Sequence, residues 1–231
     1  MSSPSRAASD AVERLDAVTR RLRQECPWDR EQDERTVVPH TVEEAYELAD
    51  AAHRRDDARL LDELGDVLFQ VHFLALLLEE RGAGSLAEVA SHCVEKLVRR
   101  HPHVFGDLRA ESAAEVLRNW DQIKRGEEGR EPGVFGDVPE TLPALLYARK
   151  LLRRAEVPPA EGSILTVRER LSELEADDTR DLQFERLGDV LLELVAVARK
   201  IHIDPELALR AAADRFRASR SEGAGASSEG A

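Results

Sequence analysis

One stretch limits what this chain can become. Leu60, Leu61, Leu64, Val67, Leu68, Val71, Leu74, Ala75 and Leu78 recur at helical spacing, a period that a strand would scatter over both of its faces. A helix with so continuous an apolar stripe must bury it against other helices. Glu63 and Asp66 lie one turn apart on a flank of that stripe. Upstream, Thr41 precedes Glu43-Glu44-Ala-Tyr-Glu47. Thr41 and Glu44 have the spacing of a capping box, so a helix is predicted from Thr41 to about residue 54, followed by the apolar helix from about 58 to 81.

On the first of these helices Glu43 and Glu47 are four apart, Glu44 and Glu47 three apart, and Asp50 follows one turn later. Carboxylates therefore stack along one side. Like charges so placed cost a helix about 0.2–0.5 kcal/mol per pair. No Lys or Arg follows Glu43, Glu44 or Glu47 at i+3 or i+4 to offset this. If the two helices pack as an antiparallel hairpin, both acidic sides converge. Four or five carboxylates around one point, without His or Cys, suit a hard divalent cation such as Mg²⁺, with Mn²⁺ as a substitute. Acidic residues on a single helix are ordinarily a solvated face. Two uncompensated clusters beside one core stripe favour the metal. A di-iron centre would need Glu-x-x-His pairs, and Asp50-Ala-Ala-His53 has the wrong acid.

The order Glu-Glu-x-x-Glu then Glu-x-x-Asp occurs with four further stretches: Cys26-Pro27-Trp28-Asp29, Lys96-Leu-Val-Arg99-Arg100-His101-Pro102-His103-Val104-Phe105, Trp120-Asp-Gln-Ile-Lys124 and Leu142-Pro143-Ala144-Leu145. Together they resemble the MazG family of nucleoside triphosphate pyrophosphohydrolases, within the all-α NTP pyrophosphatases. The resemblance covers about residues 10 to 218. It implies an Mg²⁺-dependent enzyme that converts NTP or dNTP and water into the monophosphate and pyrophosphate, in nucleotide house-cleaning. Glu43, Glu44, Glu47, Glu63 and Asp66 are then the metal ligands or water-orienting carboxylates, with the base among them left open. Lys96 and Lys124 match phosphate-contacting positions. Arg99 and Arg100 are further candidates, although basic residues at a helix C-terminus also complement its dipole. Trp28 matches a loop that closes the pocket. Trp120, one turn before Lys124, can stack on a base or plug a core.

The rest of the chain repeats this half in altered form. Leu64-Gly65-Asp66-Val67-Leu68 returns as Leu187-Gly188-Asp189-Val190-Leu191. Glu169, Arg170 and Glu173 take the places of Glu43, Glu44 and Glu47, and Arg186 that of Glu63. The expected organisation is all-α, with tandem, divergent MazG-like helical bundle repeats. It comprises a disordered N-terminus (about 1–9), a catalytic domain (about 10–125), a linker (about 126–140), a degenerate second repeat (about 141–218) and a disordered tail (about 219–231). Other helices are predicted at about 10–24, 85–100, 112–124 and 142–157, and one from Asp204-Pro205 to about 217. The second copy is expected to have lost catalysis, its arginines pairing with Glu169, Glu173 or Asp189 and its Val190, Leu191, Leu194, Val195 and Val197 supplying a core.

The net charge of −13 argues against a general nucleic-acid surface. No run is long and apolar enough for a membrane span, and no secretory leader is read. Two cysteines give no disulfide framework and fit a reducing cytoplasm. The expected partners are nucleoside triphosphates and a second copy of the chain in a homodimer. A narrower dUTP- or dCTP-type hydrolase is one alternative, a nucleotide-binding helical scaffold or sensor without turnover another. No base-specific pocket is legible.

Overall fold

The computed structural model describes residues 4–127, 133–136, 138–155, 157–158, 162–176 and 179–226. Every regular element among them is a helix, as the composition and periodicity require. The chain divides into two compact units, Met1–Ile123 and Lys124–Ala231. Among the described residues no helix is long and apolar enough to cross a membrane.

The first unit contains α1 (Pro4–Glu25), α2 (Pro27–Glu31), α3 (Glu34–Arg54), α4 (Asp57–Glu80), α5 (Leu86–Arg100), α6 (Pro102–Phe105) and most of α7 (Ala113–Arg125). Its centre is the α3–α4 pair, with α1 and α5 packed on α4 and α2 on α1. Val37 from α3 and Phe73 and Leu77 from α4 form the buried core, with Phe69 and Leu74 against it. Each such side chain contributes about 1.5–3 kcal/mol when fully removed from water. Two bidentate ion pairs fasten α1 to the end of α4: Arg20 to Glu79 at 3.0 and 2.7 Å, and Arg23 to Glu80 at 2.8 Å through both nitrogens. Arg23 also donates to the Asp29 and Gln32 carbonyls, fixing the chain around α2. The Arg81–Glu34 pair at 2.8 Å joins the end of α4 to the start of α3, the signature of an antiparallel hairpin.

The structure corrects several predicted boundaries. α3 starts at Glu34, not Thr41, because Asp33 is the real N-cap: its carboxylate accepts from the Arg35 and Thr36 amides, and the Asp33 amide donates to Thr36 Oγ1. Thr41 is interior, donating back to the Val37 carbonyl at 3.4 Å. Pro39 lies inside the helix, where it removes one backbone bond without ending it. α1 begins at Pro4, so residues 4–9 are helical rather than disordered. The caps at Ser85, Ser112 and Asp204 are as expected.

The buried face of α4 also differs. Glu63, Gln70, His72, Phe73, Ala75, Leu76 and Leu77 are buried, whereas Leu61, Leu64, Leu68 and Val71 of the predicted stripe are exposed, Leu61 by 75%. The helix is apolar on two sides, and this unit covers one of them. His72 is buried in the core, its Nδ1 3.9 Å from Asp16.

The second unit contains α8 (Ala144–Arg154), α9 (Ile164–Ala176), α10 (Arg180–Lys200) and α11 (Pro205–Ala226). The α9–α10 pair is central, α8 packs on α10, and α11 on α8. Val167, Val190, Val195 and Ala196 are buried. Leu191 and Leu194 are not, against expectation, and with Phe184 and Leu187 they form an exposed row on α10. Gly162 lies so close to α10 that a Cβ there would meet the Ala196 carbonyl carbon at 2.6 Å. α8 is shorter than predicted, and α11 continues through residues expected to be tail. Residues 128–132 and 137 of the predicted linker, 1–3 of the N-terminus and 227–231 of the tail lie outside the described residues.

Candidate metal centre

Glu44, Glu47 and Asp50 of α3 come up to α4, which answers with Glu63 and Asp66. The turn between the helices is short. Arg55 adopts φ 57° and ψ 37°, and its amide bonds back to Ala51 and Ala52. Asp56 then caps α4 by accepting from the Arg59 amide at 3.1 Å. This tight reversal brings donor atoms of Glu44, Glu63 and Asp66 within 4.8 Å of one another. Oxygens on one octahedral cation sit roughly 3–4 Å apart, so the trio is close to the spacing that an ion would impose.

The electrostatics fit a cation. Glu63 is 6% exposed, and a carboxylate so placed needs a positive partner. Burial pushes the Glu44 carboxyl above its ordinary pKa, and the charges of Asp66, Glu47, Glu63 and Glu43 push it the same way. The donor set is all oxygen, which selects a hard ion over zinc or copper. Glu43 stands outside the close trio, exposed, with His40 Nδ1 at 3.8 Å.

Sequence reasoning missed Arg59. Its guanidinium reaches Glu63 at 3.3 Å, Glu47 at 3.5 Å and Asp50 at 3.8 Å. The one available signal was its place four residues before Glu63, the spacing of a helical ion pair. The contacts to Glu47 and Asp50 cross the turn and exist only once α3 and α4 are packed.

The other candidates are less concentrated. Trp28 on α2 is exposed and meets His40 of α3 edge-on at 6.0 Å between centroids, which links its loop to the acidic helix through His40 and Glu43. Lys96 is half-buried on α5, Arg99 is exposed, and Arg100 is buried. Trp120 packs beside His101 at 6.3 Å, and His101 beside His103 at 5.5 Å. The Trp120 Nε1 is buried without a hydrogen-bond partner. Lys124, one turn further along α7, is the first residue of the second unit.

Fold and site thus define an all-α protein that gathers carboxylates from both arms of a helical hairpin. Residues 32–105 match the family model of the MazG nucleotide pyrophosphohydrolase domain. The chain is 38% identical over 213 residues to the nucleoside triphosphate pyrophosphohydrolase/pyrophosphatase MazG of Thermotoga maritima, covering 88% of this chain and 82% of that one. It is 37% identical over 221 residues to the nucleoside triphosphate pyrophosphohydrolase of Escherichia coli, covering 89% and 84%. The crystal structure of a mazG-related protein from Thermotoga maritima aligns with 48% of this chain and 97% of its own at 28% identity and a TM-score of 0.43. The chain belongs to the MazG family.

Proposed function

We propose that this protein is an Mg²⁺-dependent nucleoside triphosphate pyrophosphohydrolase that releases pyrophosphate and a nucleoside monophosphate, clearing standard or damaged nucleotides from the pool. One observation carries the reading: Glu44, Glu63 and Asp66 come together from two helices in a member of a nucleotide pyrophosphohydrolase family. A divalent cation held there supplies charge against the triphosphate and acidifies water. The chain's own groups do the rest. Glu43 and Glu47 flank the trio on α3 as orienting carboxylates. Lys96, Arg99, Arg100 and Lys124 grip phosphate oxygens as charged donors, and Trp28 and Trp120 offer rings to the base. Two free cysteines suit a cytoplasmic setting.

The test is pyrophosphate release across ribo-, deoxy- and oxidised triphosphates, with and without Mg²⁺. Activity is expected with Mg²⁺ or Mn²⁺ and to vanish in a chelator; full turnover in excess chelator would remove the metal from the mechanism.

The homodimer belongs to the same proposal. Leu61, Leu64, Leu68 and Val71 form one exposed row on α4, and a second copy is the simplest cover for it. Light scattering after gel filtration is expected to give twice the chain mass, and a monomer at micromolar concentration would set the dimer aside.

A further inference from the structure

Arg59 pairs with both Glu47 and Glu63 and comes within 3.8 Å of Asp50, which Arg54 holds at 2.9 Å. Each guanidinium nitrogen faces a different carboxylate: Nε faces Glu63, one terminal nitrogen Glu47 and the other Asp50. One guanidinium thus sets its positive charge among three carboxylates, since its five N–H donors point in fixed directions. Glu63 belongs to both sets, as an Arg59 partner and as a member of the Glu44–Glu63–Asp66 trio. A divalent cation takes carboxylate oxygens at about 2.0–2.6 Å. With Glu63 on the ion, the guanidinium would face two positive charges at close range. The side chain has room to leave. It is 43% exposed, so it can swing out into solvent.

From this we propose that Arg59 is a built-in counter-cation, a positioning residue that neutralises the acidic group before metal binds and swings out into solvent when the divalent cation enters. Metal loading is then an exchange of one cation for another. The exchange lowers the affinity of the substrate-free enzyme for metal and keeps the hairpin from splaying when no metal is present. This inference rests on the metal reading above and adds to it a residue that opposes binding.

The experiment titrates Mn²⁺ into substrate-free protein and reads free Mn²⁺ by electron paramagnetic resonance. Arg59→Gln is expected to bind Mn²⁺ about tenfold more tightly than wild type, since three partly exposed pairs are removed from the competing state. Arg59→Lys keeps the charge and is expected to return most of the way to wild type. In chelator, Arg59→Gln is expected to melt at a lower temperature than wild type, and Mn²⁺ to raise its melting point by more. Equal or weaker Mn²⁺ binding by Arg59→Gln, with wild type binding normally, overturns this inference and leaves the metal reading standing. Absence of binding by both proteins overturns the metal reading itself, and this inference with it.

Discussion

The α3–α4 and α9–α10 pairs both set charged side chains between their arms, with different signs. In the first, Glu44 and Asp66 approach as like charges, as do Glu47 and Glu63 through their shared contact with Arg59. In the second, the counterparts are opposite charges: Arg170 meets Asp189 at 3.2 Å, and Arg186 meets Glu173 at 3.3 Å. Both bonds cross from α9 to α10. A helical hairpin with facing acids needs cations between its arms. The second pair matches its acids with two arginines, one on each arm, and the first sets Arg59 against a larger group of acids. We propose that the difference gives chemistry to the first pair and cohesion to the second.

The sharpest way to break that comparison is Asp66→Asn beside Asp189→Asn. The first is expected to lose at least about a hundredfold in kcat/KM, because it removes a donor from the ion. The second is expected to stay near wild type. Circular dichroism of both must remain helical, and a reversed ranking would move the site to the second unit. Lys124→Ala is expected to cost roughly tenfold in kcat/KM through one lost charge-assisted contact to phosphate. An unchanged value would put Lys124 on a solvated surface.

A smaller effect tests cohesion directly. Arg170→Glu with Arg186→Glu rebuilds the acidic pattern in the second pair and is expected to lower stability by about 1 kcal/mol or slightly more, these groups being partly exposed. Urea unfolding in chelator measures it, and an unaffected midpoint would deny the arginine pairs their role. The smallest effect is in pH. Glu44 holds its proton more firmly in the folded chain than in the unfolded one. Its contribution is therefore present below the ordinary glutamate value and lost as pH rises through the raised one. Glu80, drawn down by its hydrogen bond to Arg23, contributes above the ordinary value and loses that as pH falls through the lowered one. In chelator, Glu44→Gln is expected to remove the loss on the alkaline side and Glu80→Gln the loss on the acid side. Melting curves between pH 3 and 7 separate them.

Much of this was legible in the sequence, for physical reasons. Helical period located α4, and hydroxyl and carboxylate caps located the starts of α5, α7 and α11. Charge reversal at Arg170 and Arg186 announced their ion pairs with Asp189 and Glu173. The start of α3 was not legible, because Thr41 and Glu44 imitate a cap and Pro39 reads as a stop, while Asp33 and Thr36 form the real box. The covered face of α4 was not legible either. Leu64 and Leu68 are as apolar as Phe73 and Leu77, and only the packing of α1 and α3 selects between them. Arg59 was invisible for a similar reason: two of its three partners sit on another helix.

The turn at Arg55 and Asp56 has a consequence for how the protein folds. All the metal candidates and Arg59 lie on the two helices it joins, so the constellation is a local contact set, and closing so short a loop costs little chain entropy. Local pairings form early and fast. The acidic hairpin can therefore assemble as soon as residues 34–80 are available, before α5 arrives to pack on it. Arg55 holds the reversal at a φ of 57°, a left-handed conformation that burdens any side chain but glycine. Arg55 thus bears on how readily the two arms meet, although it touches none of the chemistry.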